Sequence, residues 1–392
     1  MKSKRLLTVC TAVLLLAAML TGCARSAATE GPELELKLDE DNQDMFNFGN
    51  LAFDIPADEF LKSFSLGDIV TVTVDGFESL EAPVCGAYED VSAGELLIRA
   101  VPGKDYINFA INYGQLGILM GVLESTQDGE SAYAFNPSQE LPLTAKVTLK
   151  EKGGYTERLA LGRLVRPESR DGYKNFLTDE QFANFREIGT TGMGRGVLYR
   201  SSSPISSEIG RNSTADALCA REGIKTVINL ADSAEMAGSF EGMENTYCAK
   251  QNVIYLSMPI AFTTELFSAK LAEGMRFIIA NDGPYLVHCL EGKDRAGFVS
   301  AILELYMGAT LEEVREDYLL SYENYYAELK DGGVQMNDRL RGIIKDIIVE
   351  NLEIAYGVDE LNDSNAQTVT REYLKSIGLT DAELEQLTAR LR

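Results

Sequence analysis

Histidine is almost missing from this sequence: His288 is the one imidazole in 392 residues. A metal centre built from several histidines is therefore excluded, and any Ser-His-Asp or Cys-His device must use that residue. Positive charge is also scarce. Lys and Arg number 36 against 60 Asp and Glu, a formal charge of −24. That balance argues against nucleic acid as a partner, because affinity for phosphate backbones rests on Lys and Arg. The apolar stretch from Leu6 to Leu20 falls short of the ~20 residues that a spanning helix needs. A disordered chain is excluded as well, since 45% of the residues are hydrophobic. The length suggests two domains.

The N-terminus reads as an address. Lys2, Lys4 and Arg5 precede the Leu6–Leu20 stretch, and Leu20-Thr21-Gly22-Cys23 follows. A basic patch, a short apolar core and small residues before a cysteine fit a cleaved signal peptide over residues 1–22. The last four residues resemble the bacterial lipobox, which implies lipidation of Cys23 and an extracytoplasmic protein anchored to a bacterial membrane. Residues 23–48 are expected to be a tether.

Residues 49–170 read as a small all-β domain. Ile69–Val74, Leu96–Ile98, Ile107–Ile111 and Lys146–Leu149 are rich in β formers, and Gly153-Gly154 suggests a hairpin continuing into a strand at Tyr155–Leu161. Such spacing suggests a barrel or sandwich. No catalytic constellation falls in it, Cys85 reads as a buried apolar residue, and its partner is not legible.

Residues 171–392 read differently. A capping box at Thr178 opens a helix to about Ile188, and Ser213 caps a helix stopped by Gly223. Strands are expected at Gly196–Arg200, Lys225–Leu230, Asn252–Leu256 and Tyr285–His288. Helices are expected at Thr264–Ala280 and Ala296–Met307, then after Thr310 and after a second capping box at Thr380. This alternation predicts a mainly parallel sheet flanked by helices.

The chemistry concentrates in one turn, His288-Cys289-Leu290-Glu291-Gly292-Lys293-Asp294-Arg295. A short apolar strand enters it and an almost wholly apolar helix leaves it. A tight loop at a helix N-terminus points backbone N–H groups inward and cradles an anion. The same field favours the thiolate of Cys289, and the planar fork of Arg295 suits two phosphoryl oxygens. Gly292 gives the loop its backbone freedom. A Walker A loop does not fit, because Gly292-Lys293 is followed by Asp294.

This loop resembles the signature of cysteine-dependent tyrosine phosphatases. With its Lys-Asp pair it resembles the bacterial tyrosine/dual-specificity family carrying an HCxxGKDR loop. Val197–Ser201, Gly223–Leu230, Glu235 and Tyr373–Leu384 resemble further parts of that family. The resemblance covers residues 171–392 and implies an α/β cysteine-phosphatase fold, preceded here by the all-β domain. It implies metal-independent phosphomonoester hydrolysis without a cofactor. The substrate would be a phosphorylated protein, a phosphoinositide or a small phosphoester. Cys289 would be the nucleophile and Arg295 a phosphate ligand. Loop residues His288, Leu290, Glu291, Gly292 and Lys293 would form the substrate-binding wall.

The leaving oxygen needs a proton. No aspartate lies between Ser233 and Ala280, so Asp294 is the expected general acid, with Asp232 and Glu265 as fallbacks. Ala296 stands where many relatives have a hydroxyl that assists breakdown of the phosphocysteine. A non-catalytic phosphate- or phosphoprotein-binding lipoprotein is the alternative reading. Tyr318, Tyr322, Tyr325 and Tyr326 either wall a pocket or pack in the core. Cys219 and Cys248 are open to disulfide pairing in an oxidising compartment, and Arg200 is read as a source of positive charge in the pocket.

Overall fold

The computed structural model describes residues 31–39, 42, 46–92, 94–126, 133–162, 164–326, 329–330 and 336–392. The leader, including the lipobox and Cys23, lies outside the described residues. Chain contacts divide the molecule into two compact units that meet between Arg163 and Leu164.

The first unit is a seven-stranded sheet. Its strands are β1 (Glu33–Leu38), β2 (Leu51–Phe53), β3 (Ile69–Val74), β4 (Leu80–Cys85), β5 (Leu96–Arg99), β6 (Ile107–Ile111) and β9 (Leu143–Glu151), in the order β1-β9-β3-β4-β5-β6-β2. β7 (Leu123–Ser125) and β8 (Tyr133–Phe135) form a separate pair. β3 alternates buried Val70, Val72 and Val74 with less buried neighbours, so one face closes on a core containing Phe53, Phe60 and Phe109. Asn50 ties two turns together: its Oδ1 accepts from the Ile111 and Leu116 N–H groups and its Nδ2 donates to the Gly114 carbonyl.

Three expectations for this unit are corrected. The segment 23–48 is not all tether, because β1 lies inside it and pairs antiparallel with β9. Its Leu34, Leu36 and Leu38 alternate with charged residues, the pattern of a strand buried on one face. The unit is not all-β, since it carries α1 (Ala57–Ser63), α2 (Leu116–Met120) and α3 (Thr156–Leu161). The last of these replaces the strand expected at Tyr155–Leu161. β9 ends at Glu151, and Gly153 turns the chain with a positive φ of 66°. The Gly153 N–H then donates to the buried Asp68 carboxylate, which launches a helix instead of a hairpin.

The second unit holds a five-stranded sheet in the order β10-β11-β14-β12-β13, from β10 (Arg186–Glu187), β11 (Leu198–Ser201), β12 (Thr226–Asn229), β13 (Asn252–Tyr255) and β14 (Tyr285–His288). All pairings except β10–β11 are parallel. Every residue of β11, β12 and β14 is buried, as strands covered on both faces require. Register places Ser201, Asn229 and His288 side by side. The loops that follow them leave from one edge of the sheet, where ligands of such folds bind.

The helices of this unit are α4 (Asp179–Phe182), α5 (Asn212–Glu222), α6 (Ala234–Gly238), α7 (Glu265–Ala280), α8 (Asp294–Met307), α9 (Leu311–Tyr326), α10 (Asp338–Tyr356), α11 (Ala366–Ser376) and α12 (Asp381–Leu391). This is the expected mainly parallel sheet flanked by helices. The capping box at Thr178 is real, but it opens a single turn. Asn184 then takes a left-handed φ of 49°, and the chain continues as β10 instead of a helix to Ile188. Ser213 is not a cap: α5 begins one residue earlier, at Asn212. Thr380 caps α12 in a capping box as expected, and Thr264, expected as the first residue of a helix, is instead the N-cap of α7.

α8 is buried on all sides from Ala296 to Met307, which explains its lack of a polar stripe. Phe298 stacks on Phe262 at 4.1 Å between ring centroids and meets Phe267 edge-on at 5.6 Å. Replacing Phe298 with alanine is expected to cost ~3–5 kcal/mol, read as a fall in the denaturant midpoint of this unit. A loss below about 1 kcal/mol would mean that the site collapses to fill the void.

Candidate active site

β14 delivers His288 and Cys289 to the sheet edge, and α8 begins five residues after Cys289, at Asp294. The loop between them fits because of Gly292. Its φ is 68°, and an added Cβ would lie 2.1 Å from the Ser201 carbonyl oxygen, so this position admits only glycine.

The outer side of the loop is held carbonyl by carbonyl. The Ser203 N–H donates to Leu290 O at 2.9 Å. The Tyr325 hydroxyl donates to Glu291 O at 2.5 Å. Asn184 Nδ2 donates to both Glu291 O (3.1 Å) and Gly292 O (3.2 Å). Arg200 donates to Gly292 O at 2.8 and 3.2 Å and to Lys293 O at 3.1 Å. A trans peptide sends its N–H opposite to its carbonyl. Four successive carbonyls turned outward therefore direct the N–H groups of residues 291–294 toward the concave side, beside Cys289. That is an anion cradle at a helix N-terminus.

Arg200 is fully buried, so the expectation that it adds charge to the pocket is corrected. Its guanidinium faces the back of the loop, pairs with Asp317 and donates to Ser321 Oγ at 3.2 Å. Arg186 pairs with the same carboxylate at 2.5 Å and donates to Asn184 Oδ1 at 2.7 Å and Ser321 Oγ at 3.0 Å. Asn324 Nδ2 also donates to Asn184 Oδ1, at 3.0 Å. Burial alone would raise the Asp317 pKa, but the two guanidinium groups hold it below the usual carboxylate value. Nearby Glu304 is fully buried with neither oxygen bonded. Burial, then the Asp317 charge, push its pKa well above the usual carboxylate value.

On the concave side, Arg295 is anchored by one nitrogen, which donates to Met258 O at 3.1 Å and Leu230 O at 3.5 Å. A guanidinium has five N–H donors, so this anchoring leaves donors for a bidentate phosphoryl grip. Asp294 is the first helical residue of α8, and its side chain is 43% exposed at 3.9 Å from Lys293 Nζ. Cys289 is buried at the loop floor. Of the fallback acids, Asp232 lies close enough to the loop to act electrostatically on His288. Asp232 follows β12 and accepts from Asn229 Nδ2 at 2.9 Å, and Glu265 is the exposed first residue of α7.

Lys293 points into the tyrosines. Its ammonium lies over the rings of Tyr322 and Tyr326 at 4.9 and 5.2 Å, donates to the Tyr326 hydroxyl at 3.1 Å and pairs with Glu291 at 3.2 Å. Burial would lower its pKa, but Asp294, the tyrosines and Glu291 hold it well above the ordinary lysine value. Tyr318, Tyr322, Tyr325 and Tyr326 are all buried, so the cluster packs against the loop. Glu291 has a second partner, Arg166, at 2.5 Å. Leu290 contributes its carbonyl to the outer bonding and Gly292 its conformation. Ala296 is fully buried.

The sequence reading missed Arg166, Asn184, Arg186, Asp317, Ser321 and the loop-facing role of Tyr325. They are scattered singly from residue 166 to residue 325, with no local spacing to mark them. Cys219 and Cys248 are buried free thiols of one core cluster. Among the described residues no group of three or more His, Cys, Asp or Glu side chains is placed to hold a metal ion.

His288 is buried, with Nδ1 3.2 Å from the Cys289 carbonyl. Burial is the main cause that pulls its pKa down to about 4 from 6.5, so it is neutral at neutral pH. The unfolded chain then binds a proton more readily than the folded one. The stabilisation is present above about pH 6.5 and is lost as pH falls toward about 4, roughly 3 kcal/mol in all. Wild-type stability is expected to fall more steeply over that window than the stability of His288→Asn, measured by denaturation at stepped pH. Parallel curves would rule out the buried neutral imidazole.

Residues 177–392 match the model of a family described as the tyrosine phosphatase family. Among solved structures, an uncharacterized conserved protein from Thermotoga maritima is 24% identical, covering 32% of this chain and 40% of that chain, with a TM-score of 0.20. This chain therefore spans less than half of that protein's length. The core catalytic domain of the PP-IP phosphatase SIW14 from S. cerevisiae, in complex with citrate, is 17% identical over 43% of this chain and 90% of that one, with a TM-score of 0.26. A second structure of the Siw14 catalytic core is 14% identical over 48% and 94%, also at 0.26. No curated protein matches the chain.

Proposed function

The chain belongs to the tyrosine phosphatase family, and from that premise we propose that it hydrolyses phosphomonoesters through a phosphocysteine on Cys289. The observation that carries this reading is the loop itself: a buried cysteine at the floor of a cradle whose carbonyls are all drawn to the far side. Pure anion binding would need the cradle but not the thiol.

The roles follow from position. The loop N–H groups and Arg295 hold the phosphoryl oxygens. Cys289 Sγ attacks phosphorus in line as the bond to the ester oxygen breaks, and Asp294 gives that oxygen its proton. Water then attacks the phosphocysteine, Asp294 takes the proton back, and inorganic phosphate leaves with the thiolate restored. Lys293 sits in the tyrosine wall and partners Glu291 and Asp294, so its charge acts through those carboxylates. The substrate class proposed is phosphotyrosine, with phosphoserine, phosphothreonine, phosphoinositides and small phosphoesters tested beside it. The N-terminal residues support a further proposal: a bacterial lipoprotein held outside the cytoplasm through Cys23.

Cys289→Ser is expected to abolish phosphate release, by at least about a thousandfold. Asp294→Asn is expected to lower kcat/KM, which reports formation of the phosphocysteine and not its breakdown, roughly 10²-fold or more on a phosphoserine peptide. It should cost much less on p-nitrophenyl phosphate, whose leaving group needs little protonation. Equal losses on both substrates would remove Asp294 as the acid. No release by folded, reduced wild-type protein from any of these esters would overturn the enzyme reading.

A further inference from the structure

The phosphate loop contains an acid that its chemistry does not want. Glu291 stands two residues after the nucleophile, and a free carboxylate there would repel the dianion that the loop is shaped to hold. Two cations are set against it. Arg166 pairs with Glu291 at 2.5 Å, and Lys293 at 3.2 Å. Lys293 is shared with Asp294 and Tyr326, which leaves Arg166 as the closer of the two partners. The Arg166–Glu291 pair is largely withdrawn from solvent, with side chains 20% and 17% exposed, so water screens it weakly.

Arg166 comes from a segment ahead of the part that matches the family, residues 177–392. That segment is strapped to the unit at several points. Arg211 donates to Pro167 O at 3.1 and 3.2 Å and to the Tyr173 hydroxyl at 2.9 Å. Tyr173 in turn donates to Tyr325 O at 3.0 Å, and the Lys330 N–H donates to Gly172 O at 2.9 Å. Tyr325 also holds the Glu291 carbonyl. The strap and the loop thus share a fastening, and the Arg166 guanidinium is set in place.

We propose that Arg166 is a positioning residue for the phosphate site: it neutralises Glu291 and holds that side chain away from the bound phosphate. This rests on the phosphatase reading for its purpose. Its test is equilibrium binding of inorganic phosphate, which needs no turnover. Full-length chain lacking only the leader is used, with p-nitrophenyl phosphate hydrolysis measured alongside.

Arg166→Ala is expected to bind phosphate about tenfold more weakly, with KM for p-nitrophenyl phosphate rising in step and kcat changing less. Arg166→Lys should recover most of the loss. Arg166→Ala combined with Glu291→Gln should also recover it, because the repelling charge is gone, whereas a purely structural strap would not be rescued this way. Glu291→Gln alone should bind phosphate at least as tightly as wild type, and this variant keeps the test decisive if Arg166→Ala fails to fold. Unchanged phosphate affinity in Arg166→Ala, failure of the double variant to recover it, or weakened binding in Glu291→Gln would each overturn the proposal. A wild-type protein that binds phosphate but hydrolyses nothing would overturn the enzyme reading and leave these affinities readable. One that neither binds nor hydrolyses would overturn both.

Discussion

A buried guanidinium holds the back of the phosphate loop, and much of the second unit is arranged around the penalty of burying it. Arg200 donates three hydrogen bonds to two loop carbonyls. Taking an isolated charge out of water costs far more than the fold can offset unless it is paired and hydrogen-bonded. Asp317 supplies the counter-charge, Arg186 shares that carboxylate, and Ser321 and Asn184 satisfy remaining donors and acceptors. Removing one member of such a set leaves the others buried and unpaired, which is why a network of this kind is stiff. The stiffness is useful here, because an anion cradle works only if its N–H groups are already aimed before the anion arrives.

The two faces of the loop divide the work. The outer face is fastened by elements far apart in the chain: Asn184 before β10, Arg200 in β11, Ser203 just after it and Tyr325 in α9. The inner face keeps Cys289, Asp294 and Arg295, all contributed by the loop and the first turn of α8. Gly292 is the pivot, since no other residue lets the loop lie against the end of β11. Charge is balanced locally in the same way. In a chain with a formal charge of −24, the loop acid Glu291 is flanked by Arg166 and Lys293.

How much of this was legible depends on whether a feature is local. The loop was legible because its strand, glycine, cysteine, arginine and helix fall in consecutive positions, each needed by the same chemistry. The parallel strands were legible as short apolar runs, and the capping boxes at Thr178 and Thr380 as local hydrogen bonds. The buttress was not, because Asn184, Arg186, Arg200 and Asp317 meet only after folding. Arg200, read as pocket charge, turned out to face the carbonyls. In the first unit Leu34, Leu36 and Leu38 alternate with charged residues in a strand pattern that was legible but read as tether. Tyr155–Leu161 was too short for period alone to separate helix from strand, and the Gly153 turn with its bond to Asp68 decided it.

The central claim is that Cys289 becomes covalently phosphorylated on the way to product. Intact-mass analysis of wild-type protein, quenched in acid during turnover of p-nitrophenyl phosphate, tests it most directly. Ala296 offers no hydroxyl to speed breakdown of the intermediate, so it should accumulate. The account predicts one added phosphoryl group, mapped to Cys289 and absent from Cys289→Ser. Steady product formation with no phosphoryl group on Cys289 at any quench time would contradict it.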